Sequence, residues 1–255
     1  MLFSRSADLP PPDWLTNTPI AHRGLHRQGT KAAENSMTAF RLAMAAGLAI
    51  ELDIHLSSDQ IPVVFHDDTL LRMTGDARRV SEVSAKDLAS LTLGGETDII
   101  PTLQTVLDAV QGKVPLIIEL KRSSFGPAPL SLKVWEILKS YAGPYTIQSF
   151  DPMILKWFRL NAPDVIRGQL AMKSPPRKMP AHRKFMIRHM LFNHISKPHY
   201  IGYDVNDINS WTVRRAVKKN MRLLAWTVKT QSQLGQARRY ADNIIFEDLS
   251  IEQLQ

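Results

Sequence analysis

Short apolar runs alternate with segments of helical periodicity along most of this sequence, and this alternation limits the possible fold more than any other feature. Each run is only a few residues long, and most pairs of neighbouring runs are separated by one predicted helix. Continuous apolar runs of this kind are typical of parallel strands that are covered on both faces. The predicted strands lie at residues 19–24, 49–55, 114–121, 145–150, 165–170, 199–204, 222–229 and 243–247.

Eight such strands with intervening helices in a chain of 255 residues predict an α/β fold, a (β/α)₈ TIM barrel. An open, doubly wound sheet is the competing arrangement. No glycine-rich phosphate loop follows the first strand, which counts against the dinucleotide-binding form of that sheet. We predict a single barrel domain over residues 1–255, with a small turn-rich insertion after the second strand at about residues 56–100 and a short helix within it at residues 85–91.

A hairpin is predicted where the insertion begins. The link Ser57–Gln60 is shorter than the dozen or so residues that a parallel crossover needs, so residues 61–67 should fold back as an antiparallel strand. With the turn centred on the middle of that link, His66 would lie opposite Glu51.

Glu51 and Asp53 are two residues apart on the second predicted strand, so their side chains should project to the same side. Two carboxylates in one small space repel each other unless a cation or a proton lies between them. The pair is therefore a candidate metal site. The imidazole of His66 beside such a pair would form the nucleus of a hydrolytic site.

Further reactive side chains fall at the carboxyl ends of other predicted strands, where the active sites of TIM barrels lie. Charged residues at the ends of apolar strands are costly to place for structural reasons alone, so their convergence is informative. They are His22 and Arg23 on the first strand, Glu119 and Lys121 on the third, Gln148 and Ser149 on the fourth, and Trp226 and Lys229 on the seventh.

The composition excludes several classes of protein. The chain has no cysteine, which excludes thiol catalysis, disulfides and thiolate zinc sites. Residues 1–15 lack the apolar core of a signal peptide, and no apolar stretch reaches about 18 residues, so we expect a cytoplasmic protein without a spanning helix. The formal net charge of +8 favours anionic partners. Because most basic residues are spread along the chain, we expect no nucleic-acid partner.

A series of short motifs extends from Ile20 to Glu247. They are His22-Arg-Gly24, Glu34-Asn-Ser36, Glu51-x-Asp53, Pro62-Val-Val-Phe-His-Asp67, Ile100-Pro-Thr-Leu103, Ile118-Glu-Leu-Lys121, Ser149-Phe150 and Trp226-Thr-Val228. Each motif is weak alone, but their combination and order are specific. In this order they resemble the glycerophosphodiester phosphodiesterase family.

The resemblance implies metal-dependent hydrolysis of glycerophosphodiesters to glycerol 3-phosphate and an alcohol, within lipid and glycerol metabolism. It also implies a barrel with a small insertion after the second strand, and a divalent cation, Mg²⁺ or Ca²⁺. The attacking oxygen would come from the glycerol 2-hydroxyl or from water. The implied roles are metal ligation by Glu51, Asp53 and Glu119, acid/base catalysis by His22 and His66, and phosphate binding by Arg23 and Lys121.

Several alternatives stay open at this point. Glu51 and Asp53 would pair with Arg23 and Lys121 if the cluster were a metal-free ion network. Trp226 is predicted either to contact the alcohol part of the substrate or to pack the end of the barrel. A related phospholipase D-like or C-like barrel acting on lysophospholipids, or a catalytically silent barrel that binds phosphate or lipid, are the competing functions. The presence of both histidines and all three carboxylates favours the enzyme.

The positive charge is most concentrated in residues 173–197, which contain lysines and arginines but no acidic residue. Apolar residues between 185 and 195 have the spacing of a helix with one apolar side flanked by basic residues. Such a helix would either cover the barrel like its neighbours or rest on an anionic membrane as a peripheral contact.

Overall fold

The computed structural model of the chain describes residues 10–26, 32–94, 97–122, 124–172 and 181–254. Its strands are β1 (Ile20–Ala21), β2 (Ala49–Leu56), β3 (Pro62–Val64), β4 (Leu116–Leu120), β5 (Tyr145–Ser149), β6 (Arg167–Ala171), β7 (Tyr200–Asp204), β8 (Arg222–Val228) and β9 (Asn243–Phe246). Its helices are α1 (Trp14–Asn17), α2 (Met37–Ala45), α3 (Leu71–Thr74), α4 (Ala85–Leu88), α5 (Leu103–Val110), α6 (Pro127–Leu138), α7 (Pro152–Asn161), α8 (Ala181–Arg188), α9 (Asn193–Ser196), α10 (Trp211–Val217), α11 (Gln231–Tyr240) and α12 (Ile251–Leu254). Among these described helices, none is long and apolar enough to cross a membrane.

The order of the strands confirms the predicted fold class. Hydrogen-bonded neighbours follow the order β1-β9-β8-β7-β6-β5-β4-β2-β3, and β1 also pairs with β2. β2 is parallel to β4, and the successive strands from β5 to β9 are parallel, whereas β3 is antiparallel to β2. Without β3, the eight remaining strands have the topology of a (β/α)₈ barrel.

The strands and helices belong to two compact units, residues 21–145 and residues 1–20 with 146–255. In the first unit, β2 and β4 are buried along their whole length, as expected for strands covered on both faces. The insertion after β2 has a small apolar cluster of its own. That cluster contains Val63, Phe65, Leu70, Val80, Val83, Leu88, Leu93 and Ile100. That residues 1–255 act as a single domain stays a prediction.

The predicted register of the hairpin is wrong by one residue. Ile54 pairs with Val64, and β3 ends there, so His66 lies beyond the paired strand and not opposite Glu51. The cause is a turn with three residues, 58–60, instead of two. The third, Gln60, has a left-handed backbone (φ 59°), which is common in three-residue hairpin loops.

In the second unit, β6 to β9 lie close to the positions predicted for their strands, and α7, α10 and α11 alternate with them. The predicted helix at residues 185–195 is wrong, because α8 ends at Arg188 and α9 begins only at Asn193. Met190, between them, has a left-handed backbone (φ 52°), which a continuous helix does not allow. Residues 173–180 of the basic segment lie outside the described residues.

Candidate active site

The turn after β1 brings His22 and Arg23 to Glu51 on β2. The backbone N–H of Arg23 donates to Oε2 of Glu51 (3.1 Å), and Nε2 of His22 lies 4.0 Å from the same oxygen. Arg23 has a left-handed backbone (φ 55°), a conformation that is uncommon for residues with a side chain and often found at functional sites. At Gly24, a Cβ would lie 2.9 Å from the backbone carbonyl carbon of Ala39, so this turn requires glycine.

Three carboxylates meet beside this turn. Glu51 and Asp53 project from β2, and Glu119 projects from β4, where the parallel register pairs it with Asp53. One oxygen from each carboxylate lies within 4.8 Å of the others, and the residues are only 0, 0 and 6% exposed. The structure therefore brings together all three residues that the resemblance implied as metal ligands.

Two cations lie against the carboxylates. Nζ of Lys121 is 2.8 Å from Oδ1 of Asp53 and 2.7 Å from Oε1 of Glu119, and Nε of Arg23 is 3.2 Å from Oδ2 of Asp53. Burial alone would raise the pKa of Asp53, but Lys121 and Arg23 hold it well below its usual range. Burial alone would lower the pKa of Lys121, but Asp53 and Glu119 raise it, so the ammonium stays charged.

The pKa values of the other two carboxyl groups, Glu51 and Glu119, are raised. Burial, and then the negative charges of Asp53 and Glu119, raise the pKa of Glu51 well above its usual value. Burial also raises the pKa of Glu119. The charge of Lys121 lowers this pKa and the charge of Asp53 raises it, and the net shift is upward. Three carboxylates exceed the charge of Arg23 and Lys121, so the cluster lacks positive charge. Carboxylate oxygens are the ligands that Mg²⁺ and Ca²⁺ prefer, so the cluster fits a divalent cation of that type.

Asn35 fixes the orientation of Asp53. Its Nδ2 donates to Oδ2 of Asp53 (2.8 Å), and its Oδ1 accepts from the backbone N–H of Asp53 (3.3 Å). The cap of α2 is Ser36, whose hydroxyl accepts from the N–H of Ala39. Asn35 has a left-handed backbone (φ 56°) and a buried side chain, which frees its amide for the carboxylate.

His66 lies just after β3, and both its side chain and its backbone are held in place. Nδ1 of His66 donates to Oδ1 of Asp67 (2.5 Å), and the carbonyl of His66 accepts from Nε2 of His55 (3.1 Å). His55 is buried on β2, on the same face as the carboxylates. Burial, and then the charge of Lys121, lower the pKa of His66 to about 4, so its ring is neutral at pH 7.

A chain of ion pairs runs from Asp67 back to the His-Arg-Gly turn. Oδ2 of Asp67 accepts from Nε of Arg72 (2.6 Å), and the two terminal nitrogens of Arg72 donate to the two oxygens of Glu34 (2.8 and 2.6 Å). Glu34 also accepts from Nη1 of Arg23 (2.9 Å). Burial alone would raise the pKa of Glu34, but Arg72 and then Arg23 lower it. His66 is thereby linked to Asp53 through groups of alternating charge.

Sequence reasoning did not assign roles to Glu34, Asn35 and Arg72 in this network. The motif Glu34-Asn-Ser36 could have indicated roles for Glu34 and Asn35, because it places a carboxylate and an amide directly before a helix cap. No sequence pattern indicated a role for Arg72, since it lies 38 residues from Glu34 and on a different element.

Trp226 belongs to the other unit, residues 1–20 with 146–255. It lies on β8 and packs edge-on against Phe150, with 5.5 Å between the ring centroids. Its contact with the alcohol part of a substrate stays a prediction.

Comparison with known proteins agrees with this geometry. The model of the glycerophosphoryl diester phosphodiesterase family matches residues 22–249. The protein YhdW of Bacillus subtilis (strain 168) is 28% identical over 230 residues, 83% of this chain and 86% of its own. A glycerophosphodiester phosphodiesterase of Caldanaerobacter subterraneus subsp. tengcongensis is 32% identical over 161 residues, 59% of this chain and 65% of its own.

A solved structure confirms the fold independently. The structure of an Oleispira antarctica phosphodiesterase in complex with the product sn-glycerol-3-phosphate has a TM-score of 0.76 to this chain. The similarity covers 92% of this chain and 94% of that one at 24% sequence identity.

Proposed function

Because the chain belongs to the glycerophosphoryl diester phosphodiesterase family, we propose that it hydrolyses glycerophosphodiesters to glycerol 3-phosphate and an alcohol by metal-dependent, two-histidine catalysis. The observation that carries the proposal is the buried cluster of three carboxylates, with one oxygen of each within 4.8 Å of the others. The relative from Oleispira antarctica contains sn-glycerol-3-phosphate as its product, which supports the same product here.

In the proposed site, Glu51, Asp53 and Glu119 hold the divalent cation, Mg²⁺ or Ca²⁺. When bound, such a cation neutralises charge that develops on the phosphate and orients its oxygens. Lys121 and Arg23 lie within 3.2 Å of the same carboxylates, so we assign them to the phosphate group. Their fixed positive charges would stabilise the transition state without having to reorganise.

His66 has the properties of the proton acceptor. Its low pKa keeps it neutral at pH 7, and the hydrogen bond from Nδ1 to Asp67 leaves Nε2 available for the attacking hydroxyl. His22, 4.0 Å from Glu51, is then the proton donor to the leaving alcohol. General acid/base catalysis of this kind contributes roughly 10²–10⁴ in rate. Trapping a cyclic phosphate would distinguish attack by the glycerol 2-hydroxyl from attack by water.

The substrate class is tested with a panel of diesters. The purified protein is incubated with glycerophosphocholine, glycerophosphoethanolamine, glycerophosphoinositol and a lysophospholipid, each with Mg²⁺, Ca²⁺ or Mn²⁺, and the products are identified. We expect glycerol 3-phosphate from the water-soluble diesters. Turnover of the lysophospholipid alone would show the phospholipase D-like or C-like alternative instead.

A cytoplasmic location, a place in lipid and glycerol metabolism and a peripheral contact of residues 173–197 with an anionic membrane complete the proposal. The described part of that segment supports the contact through its exposed apolar and basic residues, Phe185, Arg188, Leu191 and Lys197.

A further inference from the structure

An open groove of about 500 Å³ lies between the α8–α9 segment and α10, within the unit that contains residues 146–255. We call it the aromatic-basic groove. Its volume is in the range of sites for small ligands. Met190 and Met221 contribute to its apolar lining, and none of its lining residues belongs to the carboxylate cluster. A ligand in this groove would therefore contact a set of residues that the proposed hydrolysis does not use.

Large apolar side chains of the groove remain exposed to solvent. Phe185 is 57% exposed, Leu191 is 45% exposed and Trp211 is 61% exposed. An isolated exposed apolar residue is ordinary on a protein surface, but several around one groove are typical of an interaction site. The aromatic-basic groove therefore has the surface of a binding site for an apolar or amphipathic partner.

Among its described lining residues the groove has two cationic side chains, Arg215 and Lys219, and no carboxylate. Between residues 185 and 221, which include both sides of the groove, the acidic residues are Asp204 and Asp207, and neither lines the groove. The partner should therefore be anionic.

Trp211 and Arg215 show how apolar and charged groups are combined at the rim. The guanidinium carbon of Arg215 lies 5.4 Å from the centroid of the Trp211 ring, a cation–π geometry that keeps the two together. A tryptophan beside a cation suits the boundary between lipid head groups and acyl chains. Nucleic acid would satisfy the cations but would leave Phe185 and Leu191 without an apolar partner.

We propose that the aromatic-basic groove docks this protein on a bilayer of anionic phospholipid. Phe185, Leu191 and Trp211 enter the interfacial layer, and Arg215 and Lys219 contact lipid phosphates. The proposal extends the contact suggested for residues 173–197 by a second element, α10. It rests on the groove and not on the proposed hydrolysis, so each can fail without the other.

The test is co-sedimentation of the full chain with vesicles of phosphatidylcholine, with or without about 30% phosphatidylglycerol, at low and moderate salt. Two variants remove the two kinds of contact, Phe185→Ser with Trp211→Ser and Arg215→Gln with Lys219→Gln. Two matched controls change exposed residues outside the groove, Leu160→Ser on α7 and Lys86→Gln with Lys139→Gln. Circular dichroism and thermal melting of every variant report whether the fold is intact.

We expect binding to the anionic vesicles alone and weaker binding at higher salt. The apolar variant should lower affinity at least tenfold, the charge variant about tenfold at low salt, and the controls less than twofold. Absence of binding to anionic vesicles, or equal losses in the groove variants and the controls, would overturn the proposal. Tighter binding to duplex DNA than to vesicles would also overturn it and would assign the groove to nucleic acid.

Discussion

The carboxylate cluster and the aromatic-basic groove both contain charged side chains, but those of the cluster are buried and paired whereas those of the groove are exposed to solvent. In the cluster, Asp53 is fully buried and contacts two cations and an amide. In the groove, Arg215 contacts a tryptophan ring, and Lys219 is exposed just beyond the end of α10. Buried charges depend on every partner, because an uncompensated buried charge is costly, whereas exposed charges act nearly independently and are screened by salt. Single substitutions should therefore matter greatly in the cluster and little in the groove.

The largest difference should come from the histidines. His22→Ala and His66→Ala should each lower kcat on a soluble diester by roughly 10²–10⁴, because each removes one proton-transfer group. His194→Ala, in the groove, is the matched control and should retain nearly full activity. Comparable kcat values for all three variants would show that the cluster is not where the chemistry occurs.

The second-largest effect should come from removing a carboxylate of the cluster. Glu119→Gln keeps the shape of the side chain but removes one of three anionic ligands, so we expect affinity for Mg²⁺ or Ca²⁺ to fall at least tenfold in titration calorimetry. Glu136→Gln, on the exposed side of α6, is the control. An unchanged affinity in Glu119→Gln would mean that the metal binds without Glu119, and no binding to the parent protein would mean that the cluster is a metal-free ion network.

Arg72 tests whether the ion-pair chain positions His66. Arg72→Gln should lower kcat about tenfold with little change in KM, because Asp67 loses the partner that holds it against Nδ1 of His66. Arg72→Lys should not restore the rate, since one ammonium cannot make the paired contacts to Glu34. Arg78→Gln, in the same insertion, is the control. A loss of kcat no greater than that of Arg78→Gln would mean that Arg72 is only structural.

The raised pKa of Glu51 leads to a prediction about pH and stability. In the folded, metal-free protein, Glu51 holds its proton above its usual pKa of 4.5, so ionising it opposes folding. Stability from this group is therefore full below that pH and is lost as pH rises through the folded pKa.

Metal-free Glu51→Gln should consequently melt about 2–4 °C above the parent protein at pH 7, and the difference should vanish near pH 4. Melting curves of the two metal-free proteins across this range provide the measurement. A lower melting temperature for the variant at pH 7 would show that the negative charge of Glu51 stabilises the fold.

The smallest effect is expected for one exposed charge of the groove. Lys219→Gln should change the free energy of unfolding by less than about 0.5 kcal/mol and leave hydrolysis of soluble diesters unchanged. Chemical denaturation and kcat measure this directly. A large loss of either would remove the distinction between the two regions.

The sequence could predict the parts of the site that follow from the regular period of a strand. Glu51 and Asp53 were placed together because the period of a strand is two. Glu119 was joined to them only by the family resemblance, and the structure supplies the reason, the parallel register that pairs it with Asp53. The register of His66 was missed because the length of a turn depends on the backbone of one residue, Gln60.

A long-range ion pair and the end of one helix were not predicted, for different reasons. The pairing of Arg72 with Glu34 depends on how the insertion folds, which no periodic pattern encodes. The end of α8 was missed because the apolar spacing continues past Met190, where only the left-handed backbone shows that the helix has ended. The contribution of Trp211 to the groove could not be predicted, since it requires α8, α9 and α10 to be placed together.

The most direct test of the central claim is removal and return of the metal. The purified protein is treated with excess chelator, assayed on glycerophosphocholine, and assayed again after addition of Mg²⁺, Ca²⁺ or Mn²⁺, with His66→Ala alongside. We predict that release of glycerol 3-phosphate stops on chelation and returns with at least one of these cations, while the rate of His66→Ala stays at least about a hundredfold below that of the parent protein. An undiminished rate in excess chelator would contradict the account, because Lys121 and Arg23 would then suffice without a metal.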